Sequence, residues 1–195
     1  MKKIGITGCM GSGKTTVSRI FMQLGIPVYD ADSRAKWLMV NNNDLIRNIK
    51  GIFGSNAYTS DGLLNRSFIA AEAFKHPDLL KQLNQVVHPL VFADFDEWCN
   101  KHSNYQYIVK EAALMFESDS YKQLDEIIVV TAPESLRIER SMQRDGSSKE
   151  AVLARMKNQM TEAEKLSKAH HEIKNDEEHL LIPQVLVLHN KWTYL

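Results

Sequence analysis

Gly8-Cys9-Met10-Gly11-Ser12-Gly13-Lys14-Thr15 satisfies the pattern G-x-x-x-x-G-K-[ST] at every defined position, and its surroundings decide the fold. Before it, Lys3 to Thr7 is a short β-prone run that stops at Gly8, as a buried first strand would. After it, Val17, Ile20, Phe21 and Leu24 recur at helical spacing until Gly25 ends the pattern. Glycines allow such a loop to curl into a concave nest whose backbone N–H groups point at phosphate oxygens. The N-terminus of the following helix adds about half a positive charge facing the same anion. In that geometry Lys14 reaches the β- and γ-phosphates, and the Thr15 hydroxyl is a ligand for Mg²⁺.

Working outward, Ile26 to Tyr29 reads as a second strand that adjoins the first or lies near it, with Asp30-Ala31-Asp32-Ser33 where it gives way to a helix. From Arg34 to about Lys101 the pattern is largely helical, interrupted by a Gly/Ser/Asn break over 51–60. Within it, 68–74 and 79–98 are amphipathic, and Pro89 marks a helix start or a kink. Strand character returns over 107–109 and 126–130. Pro133 to Lys168 is charged and helix-prone, broken at Asp145-Gly146-Ser147-Ser148. The tail at 182–188 fits either a strand or a final helix with Pro183 in its first turn. Strand–helix–strand, a helical insertion, then renewed alternation predict an α/β domain with a mainly parallel sheet flanked by helices.

The bulk composition narrows the partners. Twenty-four basic and twenty-four acidic residues cancel, so no global field draws the chain to nucleic acid or anionic lipid. Two cysteines, Cys9 and Cys99, argue no disulfide framework and favour a reducing compartment. The apolar run after Met1-Lys2-Lys3 is too short for a signal peptide, and no stretch approaches the ~20 apolar residues that span a bilayer. The expectation is a cytoplasmic protein without membrane, nucleic-acid or obligate protein partners.

Asp30 and Asp32 fall just beyond the second strand, where open α/β sheets bind ligands. A carboxylate there could accept a proton from an attacking hydroxyl or hold a metal-bound water. The local residues equally allow Asp32 or Ser33 simply to cap the next helix. His170-His171 lacks partners at zinc-like spacing and reads as surface, whereas Trp37 and Trp98 read as core.

Several segments together resemble the dephospho-CoA kinase family. They are Ile4-Gly5-Ile6-Thr7-Gly8, Gly11 to Thr16, Leu24 to Asp32, Asp61-Gly62-Leu63-Leu64-Asn65-Arg66, His88-Pro89-Leu90, Leu114-Met115-Phe116-Glu117 and Met142-Gln143-Arg144-Asp145. Arg155 with Gln159, and Ile173 with Asn175, match the closing pattern. The chain departs from it at Ala113, where proline is usual, and at Glu177, where glycine is frequent; Glu111 has no assignable role.

The resemblance implies a P-loop NTPase-type fold with a helical acceptor-binding insertion and a lid. The core would be about 1–33 and 105–195, the insertion about 34–104 and the lid about 137–150. It implies transfer of the ATP γ-phosphate to the ribose 3′-hydroxyl of dephospho-CoA, with Mg²⁺. Gly11, Ser12, Gly13, Lys14, Thr15, Thr16 and Asn175 would hold ATP, with Thr15 on the metal. Asp32 would be the general base, with Lys14, Arg140 and Arg144 supplying positive charge, and Asp32, Arg66 and His88 would meet the acceptor. Another small-molecule or nucleoside monophosphate kinase, or a non-catalytic ATP-sensing module, would share the loop.

Overall fold

The computed structural model describes residues 1–193, apart from the side chain of Phe74. In chain order the elements are β1 (Lys2–Thr7), α1 (Lys14–Gln23), β2 (Val28–Asp30), α2 (Ala31–Asn41), α3 (Asn43–Phe53), α4 (Arg66–Lys75) and α5 (Pro77–Lys101). Then follow β3 (Tyr107–Glu111), β4 (Glu126–Thr131), α6 (Glu134–Asp145), α7 (Lys149–Met156), α8 (Glu162–Leu166), β5 (His171–Lys174) and α9 (Leu181–Thr193). The chain divides into two compact units, Ala31–Trp98 and the remainder, Met1–Asp30 with the chain from Cys99 onward.

The larger unit is built on a five-stranded sheet in the order β2-β3-β1-β4-β5. Every pairing is parallel: Ile4 is opposite Val109 and Glu126, Val28 opposite Val109, and Val130 opposite Ile173. A parallel sheet needs crossovers that cover both faces, so its central strands are buried on both sides. All five residues of β3 are accordingly buried. On one face Ile4, Ile6, Tyr107, Val109, Ile128, Val130 and Ile173 pack with Val17 and Phe21 of α1 and Val185, Leu188 and Trp192 of α9. Each such buried side chain contributes about 1.5–3 kcal/mol of hydrophobic stabilisation.

Three points sharpen or correct the expectations from sequence. The second strand adjoins β3 rather than β1, so two strands separate Asp30 from β4. The ambiguous tail is helix α9, with Pro183 in its first turn, where a missing N–H costs nothing. His171 is not a loose surface residue: it lies in edge strand β5 and meets Glu126 at 2.5 Å, while His170 Nδ1 accepts from the Ile127 amide at 3.1 Å.

The Ala31–Trp98 unit is helical. Leu45, Ile49 and Phe53 form the buried stripe of α3, and Asn42 caps that helix by accepting from the Leu45 amide. Tyr58 donates to the Met39 carbonyl at 2.7 Å. A bidentate pair from Arg34 to Asp94, at 2.9 and 2.5 Å, ties α2 to α5. Helix α5 continues through Pro89, which neither starts nor ends it. Trp37, expected in the core, is 50% exposed, with the Arg34 guanidinium 4.5 Å above its ring.

Candidate active site

Because all strands run parallel, Thr7, Asp30, Glu111, Thr131 and Lys174 end on one edge of the sheet. The loop Gly8–Gly13 leaves β1 at that edge and enters α1. Glycine is required there twice over. Gly11 has φ +79°, and a Cβ on it would stand 2.2 Å from the Arg137 carbonyl oxygen. Gly13, at φ +91°, is the residue preceding α1, and a Cβ would stand 2.0 Å from Asn175 Nδ2. As Gly13 makes no side-chain cap and the first turn holds no acidic residue, the positive end of α1 carries no anion of its own.

Side chains around the loop hold its shape. Lys14 Nζ lies back across it, donating to the carbonyls of Gly8 at 2.9 Å and Cys9 at 3.1 Å. Asn175 Nδ2 donates to the Ser12 carbonyl at 2.8 Å, and its own amide bonds Thr131 O at the end of β4. The Ser12 hydroxyl is fully buried without a hydrogen-bond partner among the described residues. Thr16 is exposed at the helix start. Burial raises the Cys9 thiol pKa against the opposing charges of Arg137 and Lys165, so it sits as a protonated, small space-filler.

Thr15 Oγ1 donates to Glu111 Oε1 at 2.8 Å. Glu111 is the residue that sequence reasoning left without a role; β3 lies beside β1 and carries its carboxylate to the loop. A hydroxyl and a carboxylate oxygen are hard donors suited to Mg²⁺. The signal was present as an acidic residue closing an apolar strand, but the strand's neighbour was not readable.

Arg140 and Arg144 both lie on α6 and face different partners. Arg140 donates to the Asn175 carbonyl at 2.9 Å and to Glu177 Oε1 at 3.1 Å, beside the loop. Arg144 bonds Asp145, which also receives Arg155 at 2.9 Å. Those guanidiniums hold the Asp145 carboxyl down at about 2.

The remaining expected residues belong to the helical unit. Asp32 is exposed in the first turn of α2, one residue inside the helix, where its charge complements the helix dipole. Arg66 is exposed at the first position of α4, behind its cap Asn65. His88 lies within α5, stacked on Phe92 at 6.2 Å, and burial lowers its pKa.

A phosphate-binding loop on β1, a carboxylate on the adjoining strand and the sheet order 2-3-1-4-5 define a P-loop fold of the small-kinase type. The solved structure of shikimate kinase from Acinetobacter baumannii shares that fold, with TM-score 0.55 at 16% identity, over 98% of this chain and 92% of that one. Dephospho-CoA kinase from Campylobacter jejuni superposes with TM-score 0.74 at 28% identity, covering 100% of this chain and 99% of that one. A protein named dephospho-CoA kinase in Porphyromonas gingivalis is 45% identical over 188 residues, which is 95% of this chain and 92% of the relative. The sequence profile of dephospho-CoA kinase matches residues 2–180. The chain belongs to the dephospho-CoA kinase family.

Proposed function

We propose that the chain is an ATP-dependent phosphotransferase that phosphorylates the ribose 3′-hydroxyl of dephospho-CoA, giving coenzyme A and ADP. The observation that carries this reading is the intact phosphate loop with Thr15 on Glu111, in a chain that matches its family from β1 to α8 and beyond. ATP binds with its phosphates over Gly11 to Thr16, where the loop amides and the start of α1 receive the charge. Lys14 then exchanges the loop carbonyls for phosphate oxygens, and Asn175 keeps the loop in register. Mg²⁺ would be held by Thr15 with Glu111 and would neutralise charge on the transferring phosphoryl group.

Asp32 takes the proton of the acceptor hydroxyl as its oxygen attacks the γ-phosphorus, and ADP leaves. Arg140, already beside the loop, and Arg144 belong to a lid over about 137–150 that supplies further positive charge. The helical unit holds the acceptor, with Arg66 and His88 toward it. We assign the enzyme to the cytoplasm, a reducing compartment that suits the free thiols of Cys9 and Cys99.

The test is ADP release in a coupled assay with dephospho-CoA, shikimate and nucleoside monophosphates as acceptors. Turnover is expected with dephospho-CoA alone, with the product phosphorylated at the 3′-position. Equal or greater turnover on another acceptor overturns the assignment.

A further inference from the structure

We propose that Gln159 is a positioning residue for the phosphate loop, fixed in place by the ion pair between Glu117 and the buried Lys165. The inference rests on the reading that the loop receives ATP, and extends it to residues outside the ATP motif.

The first two variable positions of the loop are held from outside. Gln159 Oε1 accepts from the Met10 amide at 3.0 Å, across 149 residues of sequence. The neighbouring Met160 carbonyl receives the Cys9 thiol at 3.7 Å, a weak contact that closes the same side. On the inner side Lys14 rests on the Cys9 carbonyl at 3.1 Å. Cys9 and Met10 are therefore gripped between the lysine of the motif and the segment that follows α7.

That segment is itself pinned. The Met160 amide donates to Glu117 Oε1 at 3.0 Å, and Lys165 Nζ donates to the same oxygen at 2.9 Å and to the Ala113 carbonyl at 3.0 Å. Lys165 is wholly buried, so its ammonium depends on these partners. Burial alone would raise the Glu117 carboxyl, but the bonds from Lys165 and Met160 outweigh it and hold it below its ordinary value. One carboxylate thus joins β3's exit, α8 and the 159–160 turn.

The chemistry explains the residue type. A glycine-rich loop must keep its amides converging while Lys14 leaves its carbonyls, and the bound geometry is most effective when the supporting shell is already rigid. A neutral amide oxygen can accept from Met10 without placing a negative charge beside an incoming triphosphate. Glutamine satisfies both demands.

The experiment compares wild type, Gln159→Met, Glu117→Gln and the double variant, measuring ATP affinity by calorimetry without acceptor, kinetics with both substrates, and Tm. Gln159→Met keeps the length but removes the acceptor. It is expected to weaken ATP binding ~3–10-fold, the loss of one ordinary hydrogen bond, with the KM for dephospho-CoA and Tm near wild type. Glu117→Gln is expected to lower Tm and also weaken ATP, and the double variant to bind ATP no more weakly than the worse single variant. Unchanged ATP affinity in Gln159→Met, or additive losses in the double variant, overturns the proposal. A wild type that binds no ATP overturns the functional reading, and this one with it.

Discussion

Thr15 Oγ1 stands 2.8 Å from Glu111 Oε1, joining the first turn of α1 to the carboxyl end of β3. The pair places two hard oxygen donors at the mouth of the phosphate loop, as a Mg²⁺-dependent phosphoryl transfer requires. Glu111→Gln retains a hydrogen-bond acceptor and removes the charge. It is expected to raise the Mg²⁺ concentration needed for half-maximal turnover ~10–100-fold, since supporting ligands commonly contribute that much to metal affinity. Turnover titrated against Mg²⁺ at saturating ATP checks it; an unchanged titration removes Glu111 from the metal site.

Asp32 and Asp30 are separated by one residue, yet only Asp32 lies clearly within α2. General-base assistance is worth ~10²–10⁴-fold, so Asp32→Asn should lower kcat by about that factor while ATP affinity survives. Asp30→Asn should be milder. Were Asp32 only a helix-end residue, Asn would serve as well and kcat would stay near wild type.

Arg66 opens α4 with its side chain exposed, and no catalytic role requires it. If it binds the acceptor, Arg66→Ala raises the KM for dephospho-CoA more than that for ATP, with kcat less affected. Equal rises for both substrates would place Arg66 outside the acceptor site.

Glu126 anchors the opposite end of the sheet. Partial burial would raise its carboxyl, but bonds from Lys2, His171, Lys191 and Trp192 outweigh that and hold it far below the ordinary 4.5. A depressed carboxyl stabilises the fold fully above its unfolded value and loses that contribution as pH falls toward its folded value. Glu126→Gln should therefore cost about 2 kcal/mol at pH 7, and its deficit against wild type should shrink below about pH 4.5. Denaturant unfolding from pH 7 to pH 3 measures the gap; a constant deficit would mean that packing, not charge, accounts for the loss.

Glu177 adopts φ +71°, a left-handed conformation that costs a non-glycine residue about 1–2 kcal/mol. Its ion pair with Arg140 is two-thirds exposed on the glutamate side, and such pairs contribute about 0.2–1 kcal/mol. The backbone strain outweighs the ion pair. Glu177→Gly is expected to raise Tm by a few degrees, and a lower Tm would show that the ion pair dominates.

The strand–loop–helix opening was legible in the sequence because a phosphate nest is built from consecutive residues. Glycines at Gly11 and Gly13, the lysine and the helix start all lie within one turn of each other in the chain. The family likeness and the parallel α/β architecture followed from similarly local patterns. What the sequence left open depends on which strand lies beside which. Glu111 acquires meaning only because β3 is inserted between β2 and β1, bringing it to Thr15 across 96 residues. Gln159 reaches Met10 across 149. Strand β5 has no readable signature in the sequence because it is a four-residue edge strand with only Ile173 buried, too little for a periodic signal. The tail became helix rather than strand because α9 lays Val185, Leu188 and Trp192 at helical spacing onto Phe21 and Tyr107, and burial of that stripe outweighs the β-propensity of Ile182, Val185 and Val187. Local pattern set the loop and its helix; crossover topology, which no short window encodes, decided the partners of every residue around it.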